Sequence, residues 1–236
     1  MEEIRLKLIK RIKRTETVES FRFTPARKIN FLPGQFLQVI FDEAKRGNKE
    51  LNKYLSISNS PTKEYIEVTK KISDSQFSKR LLDLKVNDEV LAKLPMGDCV
   101  FKEEYKNIGF LIGGIGITPV ISIIEYIVDM KLDTDVYLFY SNRTDGDIAF
   151  KKELDYYSSK NNNIKIYYAV TGCQPKDKTC FYGIIDKNLL TKKVCDIKDR
   201  MWFIYGPPGM VETMCSMSLE LECRKENIKT ERFIGY

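Results

Sequence analysis

Apolar and polar positions alternate in short runs along roughly the first hundred residues, the period of strands buried on one face. Ile4–Ile9 and Val18–Phe23 alternate in this way, and Phe31–Phe41 reads as a turn at Pro33-Gly34 leading into a strand. Lys53–Pro61 predicts a strand ending in a turn, Tyr65–Ile72 and Glu89–Leu94 two more, and Ser78–Leu84 one short helix capped by Ser78. Short strands at close spacing with a single helix predict a small antiparallel β-barrel.

Beyond about Glu104 strands and helices take turns. Ile108–Ile112, Asp135–Tyr140, Ile164–Val170 and Met201–Tyr205 read as strands, with a last one at Lys229–Phe233. Asp147–Ser158, Asp186–Val194 and Gly209–Leu221 read as the helices between them. This order predicts a doubly wound parallel sheet, whose ligands sit beyond the carboxyl ends of its strands. The expected organisation is a barrel domain over 1–104 and an α/β domain over 105–236.

Asn107–Met130 organises the second half. After the apolar run Ile108–Ile112 come three glycines, Gly113, Gly114 and Gly116, then Thr118 as an expected N-cap and Pro119 at the first helical position. Val120, Ile123, Ile124 and Ile127 follow at helical spacing, which predicts a helix with one apolar face. Glycines at such a turn let backbone approach a ligand closely, and the N–H groups of a helix start attract phosphate. The spacing Gly114-x-Gly116-x-x-Pro119 departs from the standard dinucleotide fingerprint, so alone it fits a steric turn equally well. Gly206-Pro-Pro-Gly209 marks a second junction of strand and helix.

Composition narrows the chemistry. The chain of 236 residues has no histidine, which excludes Ser-His-Asp and Cys-His catalysis. Six scattered cysteines without a C-x-x-C pair predict reduced thiols and no metal site. A net charge of +6 is spread along the chain rather than gathered in a block, so nucleic-acid binding is not expected. No run is long and apolar enough to span a membrane, and the charged first twenty residues do not suit a signal peptide. A cytoplasmic enzyme whose chemistry is carried by a cofactor is the expectation.

The motifs, taken in order, resemble those of the ferredoxin–NAD(P) reductase superfamily of flavoenzymes. Pro33-Gly-Gln-Phe36 resembles its PGQF strand start, and Lys53-Tyr-Leu-Ser56 its flavin-binding R-x-Y-S segment. Gly113–Pro119 matches its GG-x-GITP turn, and Tyr140-Ser-Asn-Arg143 with Asp147-Ile-Ala-Phe150 its second-strand motif. Gly206-Pro-Pro-Gly-Met210 resembles C-G-P-P-x-M, and Glu231-Arg-Phe233 the closing E-x-F.

The resemblance implies FAD and NAD(P)H as cofactors, with Ser56 near flavin N5 and Lys53 in place of the arginine that contacts the flavin phosphates. Leu55 stands where the family has a tyrosine stacked on the flavin, while Tyr54 completes the segment one step along, on the other strand face. Ser78 marks the helix start that takes the flavin pyrophosphate. Gly113, Gly114, Gly116 and Thr118 would hold the nicotinamide dinucleotide, together with Gly206, Pro207, Pro208 and Met210. Tyr205 replaces the family's cysteine near the nicotinamide. Ser141 and Arg143 are placed to meet a ribose 2′-phosphate, yet Asn142–Ile148 looks more like the NADH-using branches. The final Tyr236, with Gly235 as a hinge, resembles the closing tyrosine that covers the flavin in some branches. The implied function is hydride transfer from NAD(P)H to FAD, then electron transfer to a separate acceptor such as ferredoxin, flavodoxin or an oxygenase component. The alternatives are a free-flavin or quinone reductase, and a non-catalytic nucleotide-binding subunit of a redox complex.

Overall fold

The structure is a computed structural model, and it describes residues 1–233 of the chain. Six strands form the first sheet: β1 (Glu2–Lys13), β2 (Val18–Pro25), β3 (Phe36–Ile40), β4 (Asn52–Ser56), β5 (Ile66–Lys71) and β6 (Glu89–Met96). They pair antiparallel in the order β4-β3-β6-β1-β2-β5, with α1 (Gln76–Asp83) between β5 and β6. A bridge between Ile57, just past β4, and Val68 on β5 draws the two edges together. The expected antiparallel barrel is therefore present. Leu6, Leu8, Phe21, Phe23, Leu37 and Val39 fill its interior. Each such buried side chain stabilises the fold by ~1.5–3 kcal/mol.

The helix α1 starts three residues earlier than expected. Its N-cap is Ser75, whose hydroxyl accepts from the N–H of Ser78 at 3.2 Å. This start puts Phe77 and Leu81, four apart and both fully buried, on one face against the barrel core. Ser78 lies inside the first turn, buried, with its oxygen accepting from Ser73 N–H at 3.2 Å.

Polar groups hold the segment after β4. Glu67 is 2% exposed and is paired with Arg14 at 2.8 Å and Arg22 at 2.9 Å. Its N–H donates to Asn59 Oδ1 at 2.6 Å, and its carbonyl accepts from Ser58 N–H at 2.8 Å. Thr69 and Ser20 join through hydroxyl contacts of 2.7–2.8 Å.

The second sheet contains β7 (Asn107–Gly113), β8 (Asp135–Asn142), β9 (Ile164–Val170), β10 (Cys180–Tyr182), β11 (Met201–Gly206) and β12 (Ile228–Arg232). All its pairs are parallel, in the order β10-β9-β8-β7-β11-β12, so the winding reverses between β7 and β11. The connecting helices are α2 (Ile117–Asp129), α3 (Lys151–Lys160), α4 (Lys187–Lys193) and α5 (Pro208–Glu220). The expected doubly wound sheet is present, with β10 as an added edge strand too short to show in the sequence pattern. Arg200, 2% exposed, ties strand starts together by binding Asp135, Asp196 and the carbonyl of Ile108.

Two helix starts differ from expectation. Gly114–Gly116 winds as a 3₁₀ turn straight into α2, so Thr118 is a buried residue of the first turn and not an N-cap. The helix expected from Asp147 begins at Lys151. Asp147 is taken up by a capping box with Thr144 around the 3₁₀ turn Asp145–Asp147, and Phe150 at φ 61° separates the two.

The described residues divide into two compact units, one of Met1–Phe101 with Thr118–Asp129 and one of Lys102–Ile117 with residues 130–233. Within the first, α2 is fastened to the barrel chain after β4. Ser122 donates to Asn59 O at 2.7 Å, Glu125 accepts from Ser60 N–H at 2.6 Å, and Lys63 pairs with Asp129 at 2.8 Å.

Removing Glu67 leaves Arg14 buried without its carboxylate. Glu67→Ala is expected to lower the unfolding free energy in urea by about 3 kcal/mol, against about 0.5 kcal/mol or less for Glu16→Ala in the exposed Lys13–Glu16 pair. Equal losses would show that the Glu67 network carries no special load.

Candidate functional site

On the barrel, the register of β4 decides which way its side chains point. Leu55 lies opposite Leu37 and packs half-buried against the barrel core. Tyr54 lies opposite Gln38, is 61% exposed, and meets the ring of Phe36 edge-on at 5.8 Å. Ser56, opposite Phe36, is buried at the end of the strand. Among the described residues its hydroxyl makes no side-chain hydrogen bond, so it has bonding capacity for a ligand.

Cations gather beside this strand. Lys53 is half-buried on β4, and Lys70 on β5 is 8% exposed with its ammonium donating to Lys71 O at 2.7 Å. Burial, then the charges of Lys53 and Lys71, hold Lys70 below the ordinary lysine pKa. Desolvated like charges are costly, and an anion set among them relieves that cost. Five residues past Lys71 the chain enters the first turn of α1, whose N–H groups also favour an anion. A phosphorylated flavin fits this set, with Ser56 toward the ring and Lys53, Lys70 and the start of α1 toward phosphate.

On the parallel sheet, the switch point between β7 and β11 collects the second set of residues. Gly113, Gly116 and Gly206 are packing glycines. A Cβ on Gly113 would lie 2.3 Å from Met210 Sδ and 3.1 Å from Pro207 Cδ, and one on Gly116 would lie 2.6 Å from Tyr205 O. A Cβ on Gly206 would meet the backbone of Gly113 at 3.2 Å. Gly114 is different: its φ is +52° and a Cβ there would meet nothing within 4 Å. It is the one glycine of this turn that faces open space.

Ser141 is the register partner of Gly113, so it sits beside the same strand end, half-buried, with Arg143 exposed two residues on. The neighbouring acids are engaged locally. Asp145 accepts from the N–H groups of Lys176 and Asp177 at 2.8 and 3.0 Å, and Asp147 from Thr144. Pro207 precedes α5, which starts at Pro208, and Met210 is half-buried against Gly113. Thus the structure gathers Gly113, Gly114, Gly116, Ser141, Gly206, Pro207 and Met210 at one place. Lys53, Ser56 and Ser78 belong to the barrel unit instead. Tyr236 and Gly235 lie outside the described residues.

Glu231 was not singled out as a site residue from sequence. It is the register partner of Tyr205, and the Phe233 N–H donates to Gly206 O at 3.0 Å, so this strand end runs beside Gly206-Pro207. Burial alone pushes its carboxyl pKa up to about 7. The only sequence signal was the closing E-x-F motif.

Comparison with known proteins agrees with both halves. Residues 5–101 match the oxidoreductase FAD-binding domain family and residues 110–216 the oxidoreductase NAD-binding domain family. The chain belongs to the ferredoxin–NAD(P) reductase superfamily of flavoprotein oxidoreductases. It is 29% identical over 215 residues to NADH-cytochrome b5 reductase 1 of Dictyostelium discoideum, covering 89% of this chain and 75% of that protein. With NADH-cytochrome b5 reductase 2 of Debaryomyces hansenii it shares 34% over 174 residues, 72% of this chain and 58% of the relative. With the plasma membrane-associated coenzyme Q6 reductase of Saccharomyces cerevisiae it shares 32% over 180 residues, 74% of this chain and 57% of the relative. The FAD/NAD-binding domain of Vibrio cholerae nitric oxide dioxygenase superposes with a TM-score of 0.85 at 19% identity, covering 98% of each chain. The ferredoxin reductase of carbazole 1,9a-dioxygenase gives 0.81 at 22%, covering 99% of this chain and 70% of that one. At those identities the structures establish the fold. No helix among the described residues is long and apolar enough to cross a membrane.

The glycines and the half-buried acid of this superfamily member are separable by experiment. Gly116→Ala forces a methyl against the β11 backbone and should cost about 2 kcal/mol in urea unfolding, by overpacking. Gly114→Ala should cost only about 1 kcal/mol, for its left-handed φ, while raising KM for the nicotinamide nucleotide. An unchanged KM in Gly114→Ala would leave that turn with a steric role alone. For Glu231, the folded pKa of about 7 lies above the ordinary value of 4.5, so the native state holds a proton that the unfolded state releases between them. Stability is therefore greatest below the lower value, falls as pH rises through this window, and is flat above it. Thermal unfolding of wild type should lose ground to Glu231→Gln between about pH 5 and pH 7.5, and parallel curves would rule out the burial effect.

Proposed function

We propose that this protein oxidises NADH on a bound FAD and passes the electrons one at a time to a separate acceptor protein. The observation that carries the reading is the set on β4, β5 and α1: a buried Ser56 with bonding capacity, flanked by the half-buried Lys53 and the desolvated Lys70. When bound, FAD supplies the ring that accepts a hydride and returns single electrons. The protein's part is to bind and orient. Ser56 offers a hydroxyl able to donate or accept where the ring changes protonation. Gly114 leaves backbone open to the nicotinamide dinucleotide at the end of β7, and burial raises the Glu231 carboxyl pKa to about 7.

NADH is favoured over NADPH by the names of the relatives at 29% and 34% identity. A carrier with an acidic surface suits the net charge of +6. A quinone acceptor is the second reading, supported by the relative named as a coenzyme Q6 reductase. The purified chain is expected to carry flavin absorption bands that bleach on adding NADH. Bleached protein should then reduce ferredoxin or cytochrome b5 faster than a soluble quinone. Binding of neither FAD nor FMN would overturn the enzyme reading in favour of a nucleotide-binding subunit, and a faster quinone would overturn the protein acceptor.

A further inference from the structure

We propose that the connection from β9 to β10 positions the turn after β8 for the nicotinamide nucleotide, with Asp145 as the positioning residue that joins them. The inference rests on the NADH reading above and deepens it. Connection and turn lie in the same compact unit.

Neither segment has an apolar reason to stay where it is. No residue from Arg143 to Asp147 is buried, and none from Thr171 to Thr179. Segments of that kind open locally unless polar bonds hold them. The turn nonetheless carries Arg143, two residues past Ser141, which is the register partner of Gly113 at the end of β7. Arg143 has no carboxylate partner among the described residues, so its backbone decides where its charge stands.

The hold is built from both ends of the connection. At its start the β8–β9 ladder is carried past its last pair: Thr171 N–H donates to Asn142 O at 3.0 Å and Gly172 N–H to Arg143 O at 2.8 Å. The approach is close enough that a Cβ on Gly172 would lie 2.8 Å from Arg143 O. Further along, one Asp145 oxygen accepts from Lys176 N–H at 2.8 Å and from Asp177 N–H at 3.0 Å. Bonds from N–H groups to a carboxylate are of the strong kind, and two on one oxygen fix direction as well as distance. The other oxygen accepts from Gly146 N–H at 3.1 Å, so this carboxylate is engaged within the protein.

Asp177 is itself anchored. Its carboxylate accepts from the Thr179 N–H and hydroxyl at 2.8 and 2.6 Å and pairs with Lys151 at 3.1 Å. Lys151 begins α3, pairs with Asp155 at 2.8 Å, and lies 4.7 Å from the ring centroid of Tyr168 on β9. The connection is thus fastened to strand and helix, and Asp145 fastens the turn to the connection.

The test compares variants of the flavin-loaded full chain in NADH oxidation and in limited trypsin digestion, with cleavage after the exposed Lys178 followed by mass spectrometry. Asp145→Ala should raise KM for NADH about fivefold or more while kcat and the flavin absorption bands stay within about twofold, the pattern of lost binding without lost chemistry. It should also speed cleavage after Lys178 about fivefold or more, because the connection opens more often. Asp145→Asn keeps an oxygen able to accept from the same N–H groups and should restore most of both values. Gln174→Ala, exposed in the same connection with no bond to the turn among the described residues, should leave KM within about twofold of wild type. An unchanged KM or cleavage rate in Asp145→Ala, a matching loss of kcat and flavin, or an equal KM rise in Gln174→Ala overturns the positioning role and leaves the flavin reading standing. Wild type that fails to oxidise NADH overturns both.

Discussion

One buried carboxylate holds the barrel edge on which the candidate flavin site depends. Glu67 is 2% exposed and is neutralised by two arginines, Arg14 from the β1–β2 turn and Arg22 from β2. Without them, a desolvated carboxylate there would cost several kcal/mol or take up a proton. Its own backbone fixes Ser58 and Asn59, the second and third residues beyond Ser56. Asn59 and Ser60 in turn hold α2 through Ser122 and Glu125. A hydrophobic contact has no preferred register, whereas these bonds do. The position of Ser56 is therefore set by directional bonds on its carboxyl side and by the β3 ladder on the other.

At the parallel sheet the ruling constraint is contact between backbones. The winding reverses between β7 and β11, and at that point two chain turns meet closely: a Cβ on Gly116 would strike the Tyr205 backbone, one on Gly113 the Met210 side chain, and one on Gly206 would press on the Gly113 backbone. The closeness keeps the start of α5 and the glycine turn in one fixed arrangement and spares Gly114 for the open side. A glycine-rich turn thus does two jobs that look alike in one dimension. Gly113 and Gly116 of that turn are steric, and Gly114 faces outward.

That difference explains how far the sequence could be read. Alternation from Ile4 to Leu94 announced the barrel because its strands bury one face, and the Asn107–Met130 pattern announced the first strand, turn and helix of the sheet. The α2 stripe of Val120, Ile123, Ile124 and Ile127 is fully buried, as its spacing required. The cap of α1 was misplaced because Ser73, Ser75 and Ser78 all suit a cap, and only packing of Phe77 selects Ser75. Asp147 looked like a helix start because its capping bond with Thr144 closes a 3₁₀ turn instead. Glu67 and Glu231 stayed illegible since each sits among other charges in sequence, and only strand pairing reveals what surrounds it.

The missing histidine gives the last of these groups its significance. Histidine is the side chain whose ordinary pKa lies near neutrality, and this chain has none. Any side-chain group of the described residues that titrates near neutral pH must therefore be one displaced from its ordinary value. Burial creates one here by moving a carboxyl up to about 7 at Glu231, beside Tyr205 and the close-packed turns of the switch point. The same physics acts with opposite sign at Lys70, where burial and neighbouring cations lower an ammonium pKa. One displaced group prefers to be neutral, and the other is relieved by an anion.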